Sequence, residues 1–204
     1  MKTSKFLSKA VLAIILLGTT TAFSQDKMMK ENKMAKDKKM MAMDTKMVGG
    51  AAMYPTKDIV SNAVNSADHT TLVAAVKAAG LVETLQGSGP FTVFAPTNAA
   101  FDKLPMGTVE TLLQPENKTK LQGVLTYHVL AGKFSAKDIV KAIKKGKGMA
   151  SFTTVNGAKL IAMVDGDKVK LKDASGNISS ITIADVNQSN GVIHVVDTVI
   201  LPGM

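Results

Sequence analysis

The chain has 204 residues, 46% of them hydrophobic, with no Cys, no Trp, two Tyr and seven Phe, which is enough for one ordinary domain with an aliphatic core plus tails. Without Cys there is no disulfide and no Cys-linked lipid anchor. The +9 formal charge comes entirely from Lys, and the absence of Arg removes the bidentate and stacking chemistry that phosphates and bases favour, so no nucleic-acid partner is expected.

Lys2, Lys5 and Lys9 precede the apolar run AVLAIILLG, and small residues then lead to Ala22, Phe23 and Ser24. This pattern predicts a signal peptide over residues 1–24, with an apolar part shorter than the about 20 residues that a bilayer span needs. Cleavage after Ser24 leaves 22 of the 25 Lys against 16 acidic residues, a net charge of about +6. The expected product is secreted, extracellular or periplasmic, with no stable membrane insertion.

Residues 25–53 shift to Met and Lys and read as a disordered tail or linker. Met28, Met29, Met34, Met40, Met41, Met43, Met47 and Met53 are eight of the thirteen Met. Thioethers are soft ligands, so all of these but Met53 form an alternative copper-handling set. No His or Cys joins them and Lys38 and Lys39 repel a cation, so a solvated tether is the primary reading.

Residues 54–204 are expected to form one domain. Thr56 can cap a helix over 57–64, HTTLVAAVKAAG gives a second ending at Gly80, and a short turn follows over 81–85. Residues 91–95, FTVFA, form a buried strand that Pro96 ends; Thr97 and Asn98 then offer side chains to free helix N–H groups. Helices are expected over 108–113 and 115–125, and Ser135 with Asp138 makes a capping box for FSAKDIVKAIKKG. The period then changes. SFTTV and KLIAMV flank the hairpin pair Asn156 and Gly157, and KVKLKD, SSITIADV and GVIHVVDTVIL follow, each bounded by turn residues. The expected fold class is α+β: helices of the first half packed on a mainly antiparallel sheet built from the second half plus strand 91–95.

The corner TVFAPTNAAF fits no catalytic loop. It has no Gly for a phosphate cradle, and GSGPF precedes the strand where a nucleophile elbow would follow one. His69, His128 and His194 lack metal-ligand spacing, and His194 and Asp197 fall on opposite faces of a strand, so no relay is expected. Neither enzyme activity nor a cofactor is expected. Asp197 lands on an apolar row, which calls for a bulge, a backbone or hydroxyl donor, or access to solvent.

TVFAPTNAAF, YHVL at 127–130 and SNGVIHVVDTVILP at 189–202 together resemble the three signature blocks of the fasciclin domain, in order and separation. The resemblance extends over about residues 54–202 and implies a compact wedge of helices and strands used for adhesion or matrix-type binding, in the manner of small secreted bacterial proteins with a single such domain. Its structural motif falls on Pro96, Thr97, Asn98, Phe101, Asn190, Gly191, His194 and Asp197. It implies a buried hydrogen bond from Asn98 to the terminal strand. The family's adhesion pair falls on Tyr127 and His128, although the apolar helix before them allows either residue to pack into the core. The adjoining stretch with Lys141, Lys144 and Lys145 can meet acidic polysaccharide, or can be a solvated helix face. The expected partner is a surface or matrix protein or polysaccharide.

Overall fold

A computed structural model describes residues 44–203. It opens with an antiparallel hairpin of β1 (Lys46–Val48) and β2 (Ala51–Met53), in which Val48 pairs with Ala51. Val48 and Met53 are 3% and 2% exposed and sit in the core, so the ordered domain begins upstream of Tyr54 and the tail does not extend to Met53. The hairpin turn lies against the chain ahead. Gly49 has φ +56°, a Cβ there would meet Ser66 Oγ at 2.3 Å, and its carbonyl accepts from Ala67 N at 3.0 Å.

Helix α1 (Ile59–Ala63) starts two residues later than Thr56 would place it, because the Asp58 carboxylate accepts from Ser61 N at 2.9 Å and caps it. A 3₁₀ turn (Ala67–His69) leads into α2 (Thr70–Ala79), which ends at Gly80 in the left-handed conformation as expected. The predicted turn after it is a helix, α3 (Val82–Gln86). Strand β3 (Phe91–Pro96) and α4 (Asn98–Phe101) meet at the corner, and α5 (Thr108–Leu113) has its predicted bounds. The helix expected at 115–125 divides into a 3₁₀ turn (Pro115–Asn117) and α6 (Lys118–Tyr127). A short strand not anticipated, β4 (Val129–Ala131), precedes α7 (Ala136–Lys145). The α7 capping box forms, with Asp138 N donating to Ser135 Oγ and Ser135 N donating to the Asp138 carboxylate at 3.0 Å.

The second half supplies β5 (Met149–Thr153), β6 (Lys159–Asp165), β7 (Lys168–Lys172), β8 (Ile178–Gln188) and β9 (Gly191–Val196). With β3 and β4 they make a seven-stranded sheet in the order β4-β3-β9-β8-β7-β6-β5. All pairings are antiparallel except β3 with β9, whose registers run from Phe91 opposite Gly191 to Pro96 opposite Val196. The sheet curls into a barrel-like form, and Val155 N, just past β5, donates to Val129 O of β4 at 2.8 Å.

Both faces of the central strands are covered. Val93 and Ala95 of β3, with Ile193 and Val195 of β9, face a core shared with α1, α2, α3 and α6. Phe94 and Val196 point the other way, to a second core with Ile139 and Ile143 of α7 and Leu160 and Leu171 of the β5–β8 side. Every residue of β9 is therefore buried, which explains a run of apolar residues without a polar face.

Candidate functional site

The three signature blocks converge, because β4, β3 and β9 are neighbouring strands. At the corner, Thr97 Oγ1 accepts from Ala100 N and caps α4, as its type predicts. Phe101 packs, partly buried, against the first core. Asn98 is only half-buried and does not reach the terminal strand, contrary to expectation. Its Oδ1 accepts from Thr71 N at 3.0 Å and Thr70 Oγ1 at 3.2 Å, and its Nδ2 donates to Ala67 O at 2.8 Å. It caps α2 from outside that helix.

The long tie to the terminal strand comes from Asn190 instead. Buried at the β8–β9 turn, it accepts from Ile59 N at 3.1 Å and donates to Leu85 O at 2.8 Å and Gly87 O at 3.0 Å. One carboxamide thus holds α1 and α3 to the sheet. Gly191 follows because a Cβ there would stand 2.1 Å from Phe91 O. Asn62, fully buried, completes this seam: it exchanges bonds with the Tyr54 backbone and donates to Gln188 Oε1. Neither Asn62 nor Gln188 carries a sequence signal that distinguishes it from a surface amide.

His194 is stacked on Phe94 with ring centroids 5.7 Å apart, and its Nε2 donates to Phe134 O at 2.9 Å. Its Nδ1 accepts from Asp185 N, which fixes the tautomer. Asp197 lies beyond the end of β9. The register shifts fall in β8, and Asp197 Oδ1 accepts from Ser180 N at 2.8 Å, so the backbone donor accounts for it. The two residues serve different partners and form no relay.

Tyr127 and His128 are buried, at 0% and 3% exposure, and present no surface for adhesion. Tyr127 Oη donates to Lys159 O at 2.8 Å and accepts from Ala174 N at 3.1 Å. His128 Nδ1 donates to Val124 O at 2.8 Å, and Nε2 accepts from Ile200 N at 3.2 Å. Burial lowers the His128 pKa to about 4, against the smaller opposing effects of the Val124 bond and the Asp173 charge. Burial also lowers the pKa of His69 and His194. His69 meets Ser66 Oγ through Nδ1, while Nε2 faces the Ala95 carbonyl without a hydrogen bond of ordinary geometry.

What does reach solvent is the outer face of α7. Ile139 and Ile143 point inward; Lys137, Lys141, Lys144 and Lys145 are exposed, with Lys133 and Lys147 beside them. The only ion pair among the described residues is Lys170 with Asp165, so these ammonium groups are in no ion pair there, although the Ser135 bonds that lower the Asp138 pKa are helped by Lys141 and Lys137, which stand near it. Of the Met set, Met28, Met29, Met34, Met40, Met41 and Met43 lie outside the described residues, as do residues 1–24. Met47 is exposed on β1. No group of three His, Cys, Asp or Glu among the described residues could hold a metal ion, and no helix among them is long and apolar enough to cross a membrane. An apolar cavity between α1, α2, α3, α6 and β3 had no counterpart in the sequence reading.

The fasciclin-domain family model matches residues 67–202. Protein sll1483 of Synechocystis sp. is 48% identical over 158 residues, covering 78% of this chain and 81% of that protein. The cell surface glycolipoprotein MPB83 of Mycobacterium bovis is 33% identical over 160 residues, covering 76% of this chain and 64% of its own. The fold matches that of a domain pair from the insect cell adhesion molecule Fasciclin I with a TM-score of 0.63 at 16% identity, over 71% of this chain and 51% of the other. The matched span holds all three converging blocks and the sheet they build, and on this ground the chain belongs to the fasciclin domain family.

Proposed function

We propose that this protein is an exported, non-catalytic binding module that acts at a cell surface, in a matrix or in the periplasm, and that the outer face of α7 is its contact surface. The observation that carries this is the lysine face itself: Lys137, Lys141, Lys144 and Lys145 stand exposed along one helix, and its single acid, Asp138, is engaged in the capping box. The fitting partner is an anionic polysaccharide or an acidic protein surface. Two similarities support a surface role, since MPB83 is a cell surface glycolipoprotein and Fasciclin I a cell adhesion molecule. Tyr127 and His128 are buried, which supports a contact made by the charged face of α7 and not by this pair.

The test is to change Lys141, Lys144 and Lys145 together to Glu and measure retention on an immobilised anionic polysaccharide across salt. Wild-type retention should fall steeply between about 0.1 and 1 M salt, where the screening length contracts from about 10 to 3 Å. The variant should not be retained, and should melt as the wild type does. Retention that ignores both salt and the triple substitution would remove the α7 face from the function.

A further inference from the structure

We propose that the cavity between α1, α2, α3, α6 and β3 binds a free aliphatic carboxylate, its alkyl chain inside and its headgroup held by the Lys77 ammonium at the mouth. The cavity has a volume of about 70 Å³, and its walls are mostly carbon, with Ile59, Leu72, Val76, Leu85, Val93 and Leu125 among the residues that line it. Thr84 stands exposed at the rim, and the polar side chains that border the interior are spoken for. Thr126 Oγ1 donates to Gln122 O at 2.6 Å, and both His128 nitrogens are engaged on a ring held neutral. A water placed inside would lack the two to four partners that make burial tolerable, so the space suits an apolar guest.

Charge selects the other end of that guest. Lys77, exposed on the last turn of α2, is the one charged side chain on the lining at neutral pH, and it makes no ion pair among the described residues. Lys118 Nζ would lie 3.5 Å from a Cβ at Gly80, so a second ammonium flanks the same end of α2. Glu83 on α3 is exposed and does not line the cavity. The stem of Lys77 can lie along the apolar rim with its ammonium in water, which is the geometry that a carboxylate on an emerging chain meets. The volume admits about five water-sized groups. A carboxylate of about six carbons, with about five of them in the chain, therefore fills the interior and places its headgroup at the rim.

The experiment titrates the full-length protein with hexanoate, hexanol and hexyltrimethylammonium by calorimetry, each below its aggregation limit. Hexanoate should bind about tenfold or more tightly than hexanol, and the cation should not bind, as expected for a charge-assisted contact at the mouth. Lys77→Met keeps the unbranched stem and should erase the difference between acid and alcohol while leaving alcohol binding in place. Thr84→Trp puts an indole at the rim from an exposed position on α3 and should abolish binding of both. Val73→Trp, from α2, serves as a second plug should the first variant not fold. No binding of hexanoate by the wild type, an acid preference that survives Lys77→Met, or binding that survives a folded plug variant would each overturn the proposal.

Discussion

Replacing Asn190 by Ala removes one acceptor and two donations at a single stroke. Ile59 N loses its acceptor at 3.1 Å, and the carbonyls of Leu85 and Gly87 lose donors at 2.8 and 3.0 Å. Ile59 and Leu85 are buried, so water does not readily replace the lost partner there, whereas Gly87 is half-buried and recovers part of its loss. At about 1 to 3 kcal/mol for each buried group left unpaired, the expected cost is about 3 kcal/mol. For a domain of this size that lowers the melting temperature by about 6 to 12 °C. Urea unfolding followed by circular dichroism should show a lower midpoint at an unchanged slope, since the exposed surface is the same. Asn190→Asp is the sharper control: it keeps an acceptor for Ile59 N but sets a carboxylate oxygen against two carbonyls. It should be no more stable than the alanine variant at pH 7. A loss under about 0.5 kcal/mol for Ala, or near-normal stability for Asp, would refute the account of Asn190 as the bond between helices and sheet.

Three further outcomes are expected. Folding lowers the His128 pKa from 6.5 to about 4, so the unfolded chain binds the proton more readily; stability is complete above about pH 6.5 and is lost as pH falls toward 4. The loss due to His128 should be about 2 kcal/mol by pH 5, a melting temperature lower by about 4 to 8 °C, with His69 and His194 acting in the same direction; identical melting at pH 5 and 7 would contradict it. A chain beginning at Tyr54 should melt well below one beginning at Asp44, because it loses the burial of Val48 and Met53, about 3 kcal/mol or more; equal melting would mean that the hairpin contributes nothing. Asn98→Ala should cost only about 1 kcal/mol in urea unfolding, as a lost cap on a half-exposed helix start, and a cost equal to that of Asn190→Ala would show that burial does not rank the two.

Local chemistry was the legible part of this fold. The Ser135 and Asp138 box, the stop at Gly80, the Thr97 cap and the hairpin at Asn156 and Gly157 each depend on residues within a few positions, and each is present. Asn98 and Asn190 mark the limit. Both are amides in signature blocks, but the distant backbone groups an amide reaches are set by packing, and the long tie belongs to Asn190. The strands at 46–48 and 51–53 are three residues each, too short for alternation to emerge from a Met- and Lys-rich background. That FTVFA joins the sheet was readable; that it lies parallel to GVIHVV was not, because the relative direction of two strands 100 positions apart is set by the path of the chain between them. The apolar helix before Tyr127 and His128 favoured the core over the adhesion role that the family resemblance implies, and both rings are buried. The cavity beside Lys77 was invisible for a related reason: Leu and Val that border a void are the same letters as Leu and Val that fill one.

The parallel pairing of β3 with β9 governs how this chain can fold. The two partners are 100 positions apart, so about half of the polypeptide must be gathered into a loop before the central ladder closes. Within the described sheet β9 is flanked on its two sides by β3 and β8, and it follows all the other strands of that sheet in the chain. Until residues 191–196 arrive, β3 and β8 each have an open edge and both cores lack one wall. Such topology slows folding, since the entropy of closure is lost before the contacts that reward it form. The domain can therefore stay open over most of its synthesis, and its central ladder closes only once residues 191–196 are free to pair with β3.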